Sequence, residues 1–276
     1  MALGVVVVGT EFDETGRSIW SGQAVAYAAS FAAVCAYPTG DLLDAVAAGP
    51  GVRLLDVGTG SGNVAAAACA REARVTAVDA EPDMVRVTAT AVPLAGVGVA
   101  ALPELPFADD AFDAVTANFV LDHVGWPRRA LAELGRVTRP GGRLAVTVWA
   151  APAGAGQALL PRATEAAGVR RPAHRPVQAP ETDFPRTEQG LVDLLAVAGL
   201  SRPTCRTITW DHRTSAREWW YGAASGVGFN GHLVATQPPE TVAEIERHFD
   251  RLSAEFTGPD GRLALPHVAL LASGTA

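Results

Sequence analysis

The sequence predicts a doubly wound α/β fold on three observations. Short β-rich apolar runs alternate with Ala-rich helical stretches between Val52 and Trp149, glycines stand where those runs end, and two of the runs close on an acid, Asp56 and Asp79. This rhythm implies βαβ units and a parallel sheet with helices on both faces.

Taken in order, residues 21–34 and 40–48 read as helices ahead of the alternating block. Strands are expected over 52–57, 74–79, 97–101, 112–119 and 142–149, with Pro140, Gly141 and Gly142 marking the turn before the last of these. The stretch 152–185 is rich in Pro, Ala and Arg with little periodicity and reads as a mobile surface segment. Beyond it, 187–198 has helical spacing with Gly199 as a stop, 203–212 alternates like a strand, and 215–223 and 239–255 read as helices. A final strand is expected over 262–272. The chain is read as one domain: a helical cap to residue 50, a core over 51–150, and a lid with the last part of the sheet over 151–276. No internal repeat is visible.

At 276 residues the chain can bury a large apolar interior without disulfides. Cys35, Cys69 and Cys205 show no CxxC pair or metal-ligand spacing and read as reduced thiols. Residues 1–10 form a short apolar run without a basic start, and no segment approaches the roughly 18 apolar residues of a membrane span. A cytoplasmic protein without membrane partners is the expectation. The net charge of -7, with scattered arginines, argues against a nucleic-acid partner, which needs a concentrated positive patch.

The densest chemical signal is the run from Leu54 to Asn63, a buried strand ending in Asp56 and then Gly58, Thr59, Gly60, Ser61 and Gly62 opening a helix. Glycine permits close backbone approach, and a helix N-terminus offers unpaired N–H groups to a carboxylate. Asp79 stands where dinucleotide folds place a ribose-binding carboxylate. The spacing, however, is GxGxG rather than GxGxxG, and Asp56 beside the loop would repel a pyrophosphate while suiting an ammonium. S-adenosylmethionine (SAM) is therefore favoured over a nicotinamide cofactor.

With Asp56 to Gly62, Val78-Asp79, Leu105-Pro106-Phe107, Phe112-Asp113, Asn118 to His123, Glu133, Arg136-Val137 and Pro140-Gly141-Gly142 in this order, the block resembles the class I SAM-dependent methyltransferases, in the branch with LPF and RPGG motifs. The close match covers about a third of the chain. It implies a Rossmann-like seven-stranded sheet whose last strand is antiparallel, with an N-terminal helical cap and a lid insertion. It further implies that Asp56, Gly58, Thr59 and Gly60 border the methionine part of SAM, that Asp79 takes the ribose hydroxyls, and that Ala80 and Met84 pack near the adenine. Asn118, Phe119 and His123 would lie beside the sulfonium. Relatives usually carry an Asp that accepts from the adenine amino group; that position is Ala101 here, so backbone groups of Ala101 and Leu102 are expected to serve instead.

Methyl transfer from a sulfonium is downhill, so alignment in a dry site supplies much of the rate. His123 is the first candidate for a base, with a place in the SAM shell as its alternative; His212 is the second, with a solvated turn as its alternative. His232 lies in a Gly-flanked stretch read as a lip over the acceptor or as a plain surface loop, and His174 reads as exposed. Trp219, Trp220 and Phe229, with Tyr27 and Phe31 of the cap, either line an apolar acceptor site or pack beneath a lid.

The expected activity is methylation of an O or N atom of a small hydrophobic molecule, such as a bacterial secondary metabolite, yielding S-adenosylhomocysteine (SAH) without a metal, by a monomer or homodimer. Two rivals stand beside it: the same fold repurposed for a reaction such as cyclisation, and a non-catalytic SAM-binding module.

Overall fold

The computed structural model describes residues 9–170 and 183–276. Its core is one seven-stranded sheet in the order β3-β2-β1-β4-β5-β7-β6. Strands β1 (Arg53–Val57), β2 (Arg74–Asp79), β3 (Gly96–Val99), β4 (Phe112–Asn118) and β5 (Thr138–Trp149) run parallel. β7 (Leu263–Thr275) lies antiparallel between β5 and β6 (Ser201–Thr214). Side chains alternate across the sheet, so that Leu54 and Ala114 face one buried layer while Leu55 and Val115 face the other.

The first layer is covered by α4 (Thr39–Ala45) and α5 (Asn63–Ala70), which bring Leu42, Leu43, Val64 and Ala68 onto it. The second is covered by α7 (Pro127–Val137) and α9 (Glu188–Val197). α7 starts on Pro127, where a missing N–H costs nothing, and buries Ala130, Leu131, Leu134 and Val137 as one helical stripe. Thr187 caps α9 by accepting from the Gly190 amide. α6 (Pro82–Ala91) completes the β2-to-β3 crossover.

The LPF and RPGG-side motifs prove to be one knot. Glu133 accepts from the Leu105 amide (2.7 Å) and from Arg136, whose guanidinium also donates to the carbonyls of Leu105 (3.2 Å) and Phe107 (2.9 Å). The irregular segment after β3 is thus fastened to α7.

The cap is more broken than the expected helix over 21–34. It comprises α1 (Glu11–Trp20), α2 (Ala24–Ala28) and α3 (Ala32–Cys35). α1 begins with a reciprocal capping box between Thr10 and Asp13. Asp13 also accepts from the Gly125 amide at 2.7 Å, which docks the helix on the segment after β4.

The lid is drawn from two places. α8 (Leu159–Ala166) falls within the stretch expected to be irregular, and α10 (Ala216–Ala224), α11 (Gly228–Ala235) and α12 (Pro239–Ser253) lie between β6 and β7. They share their own apolar core, with Leu159, Leu160, Trp219, Ile245 and Phe249 packed together, which explains why a segment without periodicity still folds. The Gly-flanked lip is corrected to the start of α11, whose His232 is exposed. Residues 1–8 and His174 lie outside the described residues. Among those described, no helix is long and apolar enough to cross a membrane.

Although burial pushes the Glu133 carboxyl upward, its bonds from Arg136 and Leu105 hold it below its ordinary value. Its contribution is therefore complete above the unfolded value of about 4.3 and fades as pH falls below that. Glu133→Ala is expected to cost about 2 kcal/mol at pH 7 and to flatten the acid limb of the stability profile, read by urea denaturation at several pH values; an unshifted midpoint would contradict the knot.

Candidate active site

In this strand order the sheet reverses direction of growth between β1 and β4, and the loops leaving those two strands part. Crevices of open α/β sheets form at that place, outside the carboxyl ends of the strands. A cavity of about 920 Å³ lies there, with α1 and the lid over it.

The glycine loop forms its floor. Gly58 and Gly60 hold positive φ, and a Cβ on Gly58 would come within 2.4 Å of the Val120 side chain. A Cβ on Gly60 would come within 3.1 Å of the Tyr27 ring, so the cap presses on the loop where a side chain would hold it off. Thr88 donates to the Gly60 carbonyl at 2.8 Å and fixes the loop from below.

Asp79, at the end of β2, lines the cavity. Its two oxygens accept from the amides of Gly60 (2.8 Å) and Glu81 (2.9 Å), which orients the carboxylate and leaves acceptor capacity toward the cavity. Burial raises its pKa against the pull of those amides. Ala80, Met84, Ala101 and Leu102 line the cavity together with Asp79 and Glu81. The Ala101 carbonyl already accepts from the Glu104 amide at 3.2 Å.

Asp56 and Thr59 sit beneath the loop rather than on the cavity wall. Asp56 is 1% exposed, takes one bond from the Thr116 hydroxyl at 3.2 Å, and leaves Oδ2 without a partner. Burial pushes its carboxyl up to about 7. Thr59 is also buried, with its hydroxyl unpartnered.

Asn118 lines the cavity, but its amide is engaged: it donates to the Cys35 carbonyl (2.9 Å) and accepts from Thr147 (2.6 Å). Asn63 likewise donates to the Ala32 carbonyl at 2.9 Å, so two asparagines clamp α3 to the core. Phe119 takes a positive φ of 57°, held by its amide donating to Thr147, and stacks on Trp149 at 4.1 Å between centroids.

His123 lines the cavity between Trp20 and Phe229. The Trp20 indole N–H donates to its Nδ1 at 3.4 Å. An indole nitrogen only donates, so the neutral ring carries its proton on Nε2 and presents a donor there. His212 lies off the cavity, 5% exposed and against Trp219 and Tyr37, where burial lowers its pKa.

Tyr27, Phe31, Trp219 and Phe229 all line the cavity, as the aromatic reading expects. Trp220 does not: one residue further round α10, it packs on Phe249 of α12. Adjacent helical residues point about 100° apart, so only one of the tryptophan pair can face the ligand space.

Several wall residues carried no motif. Phe12, Arg17 and Trp20 come from α1, whose Thr10-to-Asp13 capping box was a usable signal. Asp122 accepts from Arg186 (2.9 Å) and from the Trp149 amide (3.1 Å), and Gln157 and His267 face the lid side. Among the described residues no group of three or more His, Cys, Asp or Glu is placed to hold a metal.

Residues 55–146 match the family model of a methyltransferase domain. The seven-stranded sheet with antiparallel β7 has the fold of solved methyltransferases. The chain is 42% identical over 115 residues to a demethylmenaquinone methyltransferase of Renibacterium salmoninarum, a match covering 40% of this chain and 47% of that protein. The chain thus matches about half the length of this curated relative. By structure it is similar to the YcgJ protein of Bacillus subtilis, with a TM-score of 0.56 and 19% identity over 87% of this chain and 97% of that one. It is also similar to a phosphoethanolamine N-methyltransferase of Haemonchus contortus solved with SAH, with a TM-score of 0.52 and 15% identity over 86% and 52%. At such identities these likenesses concern the fold alone.

Asp56 is raised by burial, so its protonated form favours the fold: the contribution is full below the unfolded value of about 3.9 and is lost as pH rises through about 7. Stability of the ligand-free protein is therefore expected to fall between pH 5 and pH 8. Asp56→Asn should remove about 1 to 3 kcal/mol of that fall, as measured by chemical denaturation at the two pH values, and an unchanged slope would refute a strongly raised carboxyl.

Proposed function

We propose that the protein transfers a methyl group from SAM to a small, largely apolar acceptor. The observation that carries this reading is Asp79, a carboxylate oriented by the Gly60 and Glu81 amides at the edge of the cavity, with acceptor capacity left for the hydroxyls of a ribose. The residues present fit the cofactor. The loop from Gly58 to Gly60 would lie along its methionine part, with the unpartnered Asp56 Oδ2 beneath it as an acceptor for the ammonium, whose charge would favour the ionised carboxyl. Ala80, Met84 and Leu102 would flank its adenine. SAM supplies an activated methyl group; the chain's part is to hold the acceptor in line with that group and keep water out.

The acceptor side supports a hydrophobic partner. Phe12, Trp20, Phe31, Phe119, Trp149 and Trp219 line one continuous space, and its volume of about 920 Å³ is near the upper end for a single ligand, about 1,000 Å³. A second molecule beside the cofactor is thereby accommodated. The family match ends at residue 146, ahead of the lid, so the quinone named for the curated relative is not carried over to this chain. A secondary-metabolite acceptor, a cytoplasmic setting and a monomeric or dimeric state remain part of this proposal.

Calorimetric titration with SAM and with SAH tests the reading. Binding of both at micromolar levels is expected, and Asp79→Ala should weaken each by about 1.5 to 3 kcal/mol. Unchanged affinity would remove Asp79 from the ribose site, and failure of wild type to bind either would overturn the reading. Product masses that leave the methyl count of a converted substrate unchanged would instead favour the repurposed, cyclase-like chemistry.

A further inference from the structure

The wall under the lid is rich in aromatic rings, with Asp122, Asp183, Arg186 and Asn230 on it as well, and two further polar side chains lie among the rings. One is His267, on the first half of β7. It is 2% exposed, stacks on Trp210 (5.7 Å between centroids, 18° between planes) and meets Trp219 edge-on (5.6 Å). Its Nδ1 lies 2.7 Å from the Leu265 carbonyl. A carbonyl only accepts, so Nδ1 carries the proton and Nε2 is left as an acceptor. Burial depresses its pKa to about 4, which keeps the ring neutral and that lone pair available at ordinary pH.

The second is Gln157. Its Oε1 accepts from the amides of Gly154 (2.8 Å) and Val268 (2.8 Å), the latter the residue next to His267. With the oxygen committed twice to backbone, the NH2 group is the part left to face the cavity that both residues line. No described residue partners His267 Nε2 or the Gln157 NH2. Polar atoms on a cavity wall that no protein group engages are places for a ligand's own polar atoms, so the pair points to a ligand.

We propose that His267 and Gln157 form the polar recognition site for a hydroxyl on an otherwise apolar, ring-shaped acceptor, with His267 Nε2 as the group that takes the hydroxyl proton. This rests on the methyl-transfer reading and narrows its acceptor from O or N to O. A hydroxyl offers one hydrogen to the single acceptor and a lone pair to the amide donor. A neutral primary amine would direct its second N–H at the amide NH2, and an ammonium has no lone pair to attack with.

The transfer balances. As the hydroxyl oxygen forms its bond to the methyl carbon of a sulfonium donor, the carbon–sulfur bond breaks and sulfur keeps the electron pair as a neutral thioether. The hydroxyl proton passes to His267 Nε2 and then to water. His123, whose Nδ1 is taken by the Trp20 indole, is the donor-presenting histidine of the same cavity, so the two rings have opposite polarity.

The test is calorimetric titration of the full chain at pH 7.5 with 2-naphthol, its methyl ether 2-methoxynaphthalene, and 2-naphthylamine, each with and without SAH. Wild type is expected to bind 2-naphthol at least tenfold more tightly than the methyl ether. His267→Phe, which keeps the ring on Trp210, should reduce that ratio to about one while SAH affinity stays within twofold. Gln157→Glu keeps the oxygen that the two amides bind and loses the NH2 donor; it should weaken 2-naphthol about tenfold and favour 2-naphthylamine. Equal binding of naphthol and ether by wild type, binding of neither, or an unchanged ratio in both variants would overturn the proposal. A hydroxyl preference that follows His267 in a protein that binds no SAH would support this site and overturn the methyl-transfer reading alone.

Discussion

The site depends on the reversal of strand order at β1. Parallel strands joined by right-handed crossovers grow outward from β1 to β2 and β3, and then from β1's other side to β4 and β5. Loops leaving β1 and β4 must therefore diverge, and the divergence is the cavity. Everything chemical in the core sits on that edge: the glycine loop after β1, Asp79 at the end of β2, and Asn118 with Phe119 at the end of β4. Only backbone without Cβ fits under Val120 and Tyr27, which is why glycine occupies positions 58 and 60.

A crevice at a sheet edge is open to water until something covers it. Here the cover is fastened by short polar contacts as well as by apolar packing on Leu263 and Leu265 of β7. Asp13 holds α1 to the Gly125 amide, Asn63 and Asn118 hold α3 by two carbonyls, and Arg186 reaches Asp122. Arg186 and Asp122 form an ion pair and the others are single hydrogen bonds, while the lid helices pack on Leu263 and Leu265 of β7 as well as on one another.

Burial shapes the electrostatics of the enclosed space. It pushes the Asp56 and Asp79 carboxyls upward and the His212 and His267 rings downward, in each case disfavouring the charged form. The half of the cavity nearest the glycine loop thus borders carboxyls that a cationic ligand would help ionise, while the half under the lid is rich in aromatic rings and holds the Asp122–Arg186 ion pair. Under the proposed function, a sulfonium donor and an apolar acceptor are matched to opposite ends.

The sequence by itself determined the α/β core, because strand-length apolar runs, strand-end acids and the glycine loop are local in the chain and each has a local physical cause. The expected strand over 74–79 is β2 itself, Thr187 caps the helix expected to begin beside it, and Ser215 opens α10. Local pattern also found Asp79, Ala80, Met84, Phe119 and Trp219 for the cavity. Tertiary structure alone decided which way each side chain turned. Trp219 and Trp220 are indistinguishable in sequence until α12 claims one face of α10, and Asn118 reads as a ligand-facing amide until Cys35 and Thr147 occupy it. His267 lay unmarked in an apolar strand, for its character comes from the carbonyl of Leu265 and from tryptophans on β5, β6 and α10 that no spacing along the chain brings together.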